Sequence, residues 1–179
     1  MASSLLDLWE ALAEEAAAES TLWRDALRLP GERERTPVFS PLGEERFALG
    51  LETIYEAYLV HFGTPRLFTP PDADTALLLG DYLYAHGLVR IASFGEVDAV
   101  SDLAELISLC GQLRAERREG DGAAWAATAA LLGAGALAGA REALRLEGDA
   151  GPLERLAREA AGDDAVDRAL AVHASRAVG

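Results

Sequence analysis

A single cysteine, Cys110, leaves this chain without a disulfide framework or a cysteine-rich metal site. Cations are scarce as well: 16 Lys and Arg face 30 Asp and Glu, a formal net charge of -14. Such a chain lacks the clustered positive charge that grips a nucleic-acid backbone, and an anionic membrane surface would repel it. Sustained period-two alternation is missing, and no tight turn joins two apolar runs, so strands are not expected. The N-terminus, MASSLLDLWEALAEE, is acidic and amphipathic, unlike a signal peptide. A reducing cytoplasm is the expected setting.

What is present is apolar helix-forming sequence. Half of the 179 residues are hydrophobic, enough for one domain spanning 1–179 with a substantial core. The expected fold is an all-α bundle of about six main helices. The first is capped by Ser3 or Ser4, turns Leu5, Leu8, Trp9 and Leu12 to one face, and fades near Pro30. A loop rich in proline and glycine, PGERERTPVFSPLG, covers 30–43. Phe47, Leu51, Ile54, Tyr55, Tyr58, Leu59 and Phe62 then mark a second helix. Asp72 or Asp74 caps a third, ending near Gly95, and a fourth runs from about Val97 to Glu119.

An uncharged Ala- and Gly-rich run, AAWAATAALLGAGALAGA at 123–140, approaches membrane-spanning length. Its small side chains give lipid little hold. It reads as a fifth, buried helix closely packed by neighbours. A sixth follows Gly148 and Gly151.

The order of motifs resembles the trans-polyprenyl diphosphate synthases, with their all-helical isoprenoid synthase fold. The carrying residues are GERERTP at 31–37, LVHFG at 59–63, LLLGDYLYAHGLVRIA at 77–92, CGQLRAERREGD at 110–121 and AATAALLGAGALAGA at 126–140. Gly80-Asp81-Tyr82-Leu83 is the most specific of them. The resemblance implies a truncated isoprenoid synthase bundle. Several departures bear on chemistry. His61-Phe62-Gly63 stands where the family has His-Asp-Asp, and phenylalanine cannot ligate Mg²⁺. Arg33 and Arg35 remain as a residual diphosphate loop, but Glu32 and Glu34 interleave with them, and Ala127 replaces a family lysine.

The resemblance therefore implies a non-catalytic small subunit of a heteromeric prenyl diphosphate synthase. Its partner would be a catalytic homologue, in a heterodimer or heterotetramer, and a homodimer alone is a further possibility. No cofactor of its own is expected, Mg²⁺ coming only through the partner. In the family, the helix matching 74–94 helps form the subunit interface. Leu79, Gly80, Asp81, Tyr82, Leu83 and His86 are the expected contact residues, with Asp81 buried against a donor.

Two other functions stay open. DDAVD places Asp163 and Asp167 one helical turn apart, with Asp164 beside them, a rearranged Mg²⁺ site in an enzyme; acids at a helix start are the plainer account. A stand-alone helical binding or scaffold protein is the other. His61, His86 and His173 show no paired ligand spacing. Arg114, Arg117 and Arg118, interleaved with Glu116 and Glu119, read as a solvated face.

Overall fold

The structure is a computed structural model that describes residues 2–176. The described residues form nine α-helices and no strand: α1 Ala2–Glu19, α2 Thr21–Ala26, α3 Ala48–Phe62, α4 Ala73–Ala92, α5 Val97–Ala115, α6 Asp121–Ala130, α7 Ala138–Glu147, α8 Gly151–Ala161 and α9 Asp163–Arg176. The all-α expectation holds. The count exceeds six because three expected helices are each broken in two.

Each break has a local cause. Ser20 leaves helical geometry and its hydroxyl accepts from Leu22 N, which starts α2. Gly133 and Gly135 take left-handed φ of 78° and 67°, so the Ala-rich run stops at Ala130 and resumes at Ala138. Gly162, at φ 86°, separates α8 from α9. Helix α1 starts at Ala2, ahead of Ser3 and Ser4, so neither serine is its cap. Leu5 lies outside the side chains described. Of the two candidate caps for α4, Asp72 serves: its Oδ1 accepts from Thr75 N at 2.7 Å.

Helix α3 is the axis of the molecule. Residues 51 to 60 are all buried, as an apolar-all-round helix must be. One side joins Leu8, Trp9, Leu12, Trp23, Leu79 and Leu83, from α1, α2 and α4. The other joins Leu103, Leu106, Trp125, Leu144, Leu153 and Val166, from α5 to α9. The run at 123–140 divides between α6, buried through Ala129, and an outer turn. No helix among the described residues is long and apolar enough to cross a membrane.

Helices α3 and α4 approach closely enough to need glycine. A Cβ on Gly87 would lie 2.4 Å from Ile54 Cγ1 and 3.1 Å from the Gly50 carbonyl oxygen. On Gly80 it would strike the His61 ring. The helix that Gly80 admits in the structure is this chain's own α3.

Two knots of buried charge sit inside this bundle, and neither was visible as such in the sequence. Arg66 is fully buried between Glu52 and Glu56 of α3, with N···O distances of 2.6 and 2.9 Å. Glu52 Oε1 also accepts from Val38 N and Ser40 N, and Glu56 Oε1 from Arg66 N and Leu67 N. These bonds satisfy backbone amides in two loop segments that the neighbouring helices leave unpaired. The guanidinium lies 4.5 Å from the Trp9 ring centroid, which ties α1 to the same knot. Asp102 of α5 does similar work at the α6–α7 turn, accepting from Gly133 N and from Arg141, both at 2.8 Å.

Candidate functional site

Three features could carry function: the open face of α4, a buried polar cluster, and the groove above it.

The exposed face of α4 carries apolar side chains that no other described residue covers, with Asp74 and Asp81 among them. Leu77 and Leu78 are each more than half exposed, and Val89 is 66% exposed. Leu79, Gly80 and Leu83 lie on the opposite side, buried against this chain's own α1, α2 and α3. They are spoken for internally, whereas Leu77, Leu78, Asp81 and Val89 face solvent. Tyr82 stacks on Trp23 with centroids 5.5 Å apart, and His86 packs against Tyr82.

Asp81 is not buried. Its side chain is 68% exposed, and its Oδ1 faces His61 Nε2 at 3.4 Å. Burial nonetheless pushes the His61 imidazole below its ordinary value, the pull of Asp81 being too weak to offset it. His61 is therefore neutral at pH 7.

The buried cluster joins α3, α5, α6 and α9. Asp121, at the start of α6, accepts from the Tyr58 hydroxyl and from Arg114 Nη2, the latter at 2.7 Å. Arg114 Nε also donates to Tyr58 Oη at 3.0 Å. His173 of α9 reaches Tyr55 Oη with Nδ1 at 3.0 Å, while its Nε2 faces Asp121 at 3.5 Å. Arg114 is thus half-buried and engaged, a correction to the solvated face expected for it. His173 is a core residue. Sequence could not pair Tyr58 with Asp121 or Tyr55 with His173, because 63 and 118 positions separate them.

Burial alone would push the Asp121 carboxyl up. The His173 imidazole, the Tyr58 hydroxyl and the Arg114 charge outweigh that and hold it well below the usual carboxylate range. A depressed folded-state value means stability that is fully present above the ordinary carboxylate pKa, about 3.9, and lost as pH falls toward the folded value. Asp121→Asn is expected to cost about 2 kcal/mol at pH 7 and to flatten the acid side of the stability profile. Urea midpoints between pH 3 and 7 measure both. Parallel profiles for the two proteins would contradict the assignment.

Above this cluster, the C-terminal ends of α3 and α5 enclose a groove of about 880 Å³. His61, Phe62, Gly63, Gly111, Arg114, Ala115, Arg117, Arg118 and Glu119 line it. Neither acid nor metal chemistry is offered there by the expected residues. Arg33 and Arg35 lie elsewhere, turned onto α1: both approach Glu10, and Arg33 Nε donates to the Arg28 carbonyl at 3.0 Å. Cys110 is buried, and burial pushes its thiol up, away from a reactive thiolate.

The carboxylates of DDAVD do not fit a magnesium ion. Arg158 Nη2 sits 2.7 Å from Asp167 and Nη1 3.4 Å from Asp163, with Glu154 completing the set. A guanidinium occupies the place a cation would take. Among the described residues, no group of three or more His, Cys, Asp or Glu is arranged to hold a metal.

The fold and these surfaces define a compact class only, an all-helical protein with an internal ionic knot and one open apolar helix face. Comparison with protein families, with curated proteins and with solved structures gives no match for this chain.

Proposed function

We propose that the chain is a non-catalytic small subunit that docks by α4 onto a catalytic prenyl diphosphate synthase in the cytoplasm. The observation that carries this reading is the exposed stripe of Leu77, Leu78 and Val89 on the helix bearing Gly80-Asp81-Tyr82-Leu83. Leucines left open to water on the outer side of a helix are a cost that a covering partner would remove. The opposite side of α4 already anchors in the core, so the helix can present this face rigidly.

The polar groups support the same division of labour. Arg33 and Arg35 are engaged by Glu10, and Asp163 and Asp167 by Arg158, so the candidate diphosphate and magnesium residues serve the fold. Magnesium and the diphosphate site would come with the partner. This chain would stabilise the partner and shape the tunnel that sets product length.

Co-expression with a synthase carrying both aspartate motifs tests the reading. The expected result is a stoichiometric complex with altered product length. Replacing Leu77→Asp and Leu78→Asp together should abolish the complex while leaving the helical circular-dichroism spectrum and Tm nearly unchanged, since both side chains already face water. Absence of a complex with the native chain, or a complex indifferent to these substitutions, would refute it.

A further inference from the structure

The open side of α4 brackets its leucines with acids. Leu77 and Leu78 each lie three or four residues from Asp74 and from Asp81, so all four share one helix face. Both leucines are more than half exposed, and so is the Asp81 side chain. Asp74, in the first turn, makes no ion pair among the described residues. Asp81 meets only His61, whose imidazole is neutral. Neither carboxylate is balanced by a charge of this chain.

The arginines closest in the fold are engaged elsewhere. Arg90, the single arginine of α4, pairs with Glu15 of α1. Arg114 of α5 is held by Tyr58 and Asp121, and Arg118 by Glu116 and two carbonyls of α7. Arg117 lines the groove past α5 beside Glu119 and pairs with neither Asp74 nor Asp81.

Covering the leucines therefore has an electrostatic consequence. Side chains three and four apart on a helix are about 5–6 Å from one another, so whatever sits on Leu77 and Leu78 also takes water from both carboxylates. A carboxylate that loses water without gaining a donor or a cation is strongly disfavoured. We infer that the surface seating α4 is an apolar patch of another protein, rimmed by arginine or lysine placed to meet Asp74 and Asp81. This rests on the reading of α4 as a docking helix, and it names the chemistry of what docks there. A second copy of this chain fits less well. Pairing α4 with α4 brings two sets of these acids into one interface with no free cation of α4 to meet them, between chains of net charge -14.

Fluorescence anisotropy with three labelled amphipathic helical peptides tests the inference. Each carries leucine on one face, with lysine, glutamine or glutamate on the other. The leucine–lysine peptide is expected to bind at least about 10-fold more tightly than the leucine–glutamine peptide, and the leucine–glutamate peptide not at all. Asp74→Asn with Asp81→Asn should weaken the leucine–lysine peptide by about 10-fold. Glu147→Gln with Glu159→Gln makes the same change in net charge, on exposed acids of α7 and α8, and should alter binding by less than about 2-fold.

Equal losses from the two pairs of substitutions would show attraction by overall charge alone and overturn the inference. Equal binding of the lysine and glutamine peptides, or binding of neither, would do the same. The complex with a synthase separates this inference from the subunit reading. A complex that forms but is unchanged by Asp74→Asn with Asp81→Asn overturns the basic rim and leaves the subunit reading standing. Selective binding of the lysine peptide without any synthase complex does the reverse. A native chain that sediments as a dimer, and that Leu77→Asp with Leu78→Asp returns to monomer, assigns the face to a second copy and overturns the inference.

Discussion

Arg66→Ala is expected to destabilise the protein by about 3–5 kcal/mol, the cost of leaving buried charges without a partner. At about 2–4 °C per kcal/mol for a chain of this size, Tm should fall by roughly 6–20 °C. Both acids are as buried as the arginine, and removal of the cation strands two carboxylates that water cannot reach. Arg66→Lys should not rescue it. The guanidinium meets Glu52, Glu56 and the carbonyls of Thr36 and Glu52 at once, and an ammonium cannot span that fork.

The two oxygens of each carboxylate divide the work, and this gives the prediction a control. In both glutamates Oε1 holds loop backbone and Oε2 holds Arg66. Glutamine can keep the first task with its carbonyl and needs no cation. Arg66→Met combined with Glu52→Gln and Glu56→Gln should therefore recover part of the loss, as neutral replacements of buried ion pairs often do. Thermal and urea unfolding measure all three proteins. If Arg66→Ala changes Tm by less than about 2 °C, the knot contributes little to the fold.

Gly87→Val is expected to cost about 3 kcal/mol or more, because even a Cβ would meet Ile54 and the α3 backbone. Glycine is a poor helix former, and replacing it by alanine favours a helix by about 1 kcal/mol. At Gly87 packing therefore opposes propensity, and overpacking is the larger of the two. Gly111, in the interior of α5, has no heavy atom within 4 Å of a Cβ. Gly111→Ala should accordingly stabilise by about 0.5–1 kcal/mol. Two glycines in long helices thus respond with opposite sign. A stable Gly87→Val protein would mean that α3 and α4 do not cross as closely as described.

Much of the fold was legible before any coordinates. Leu103, Leu106, Cys110 and Leu113 repeat at three- and four-residue steps and face inward. Trp9 and Leu12 do the same on α1, and Phe47 together with the inward set of α3 from Leu51 to Leu59 is buried as the spacing implied. The same logic failed at helix ends. Nothing periodic distinguishes the continuous run 123–140 from a run interrupted at Gly133 and Gly135, since the interruption depends on φ and on Asp102 waiting 31 positions away to accept from Gly133 N.

The candidate sites were less legible, and Asp81 shows why. Its neighbours are so apolar that burial looked natural, yet the side chain leaves by the exposed face of α4 that also carries Leu78 and Val89. Glu52 and Glu56 present the converse. They are ordinary helix-forming acids in sequence and fully buried ions in the structure.

Local sequence by itself decided that this chain is helical, where most helices lie, and which of their faces are apolar, because those properties depend on neighbours within a few residues. Tertiary structure decided which charges are buried and which apolar face of α4 is left over. The energy of a buried charge is set by partners that meet only when distant segments dock, and no short-range pattern encodes them.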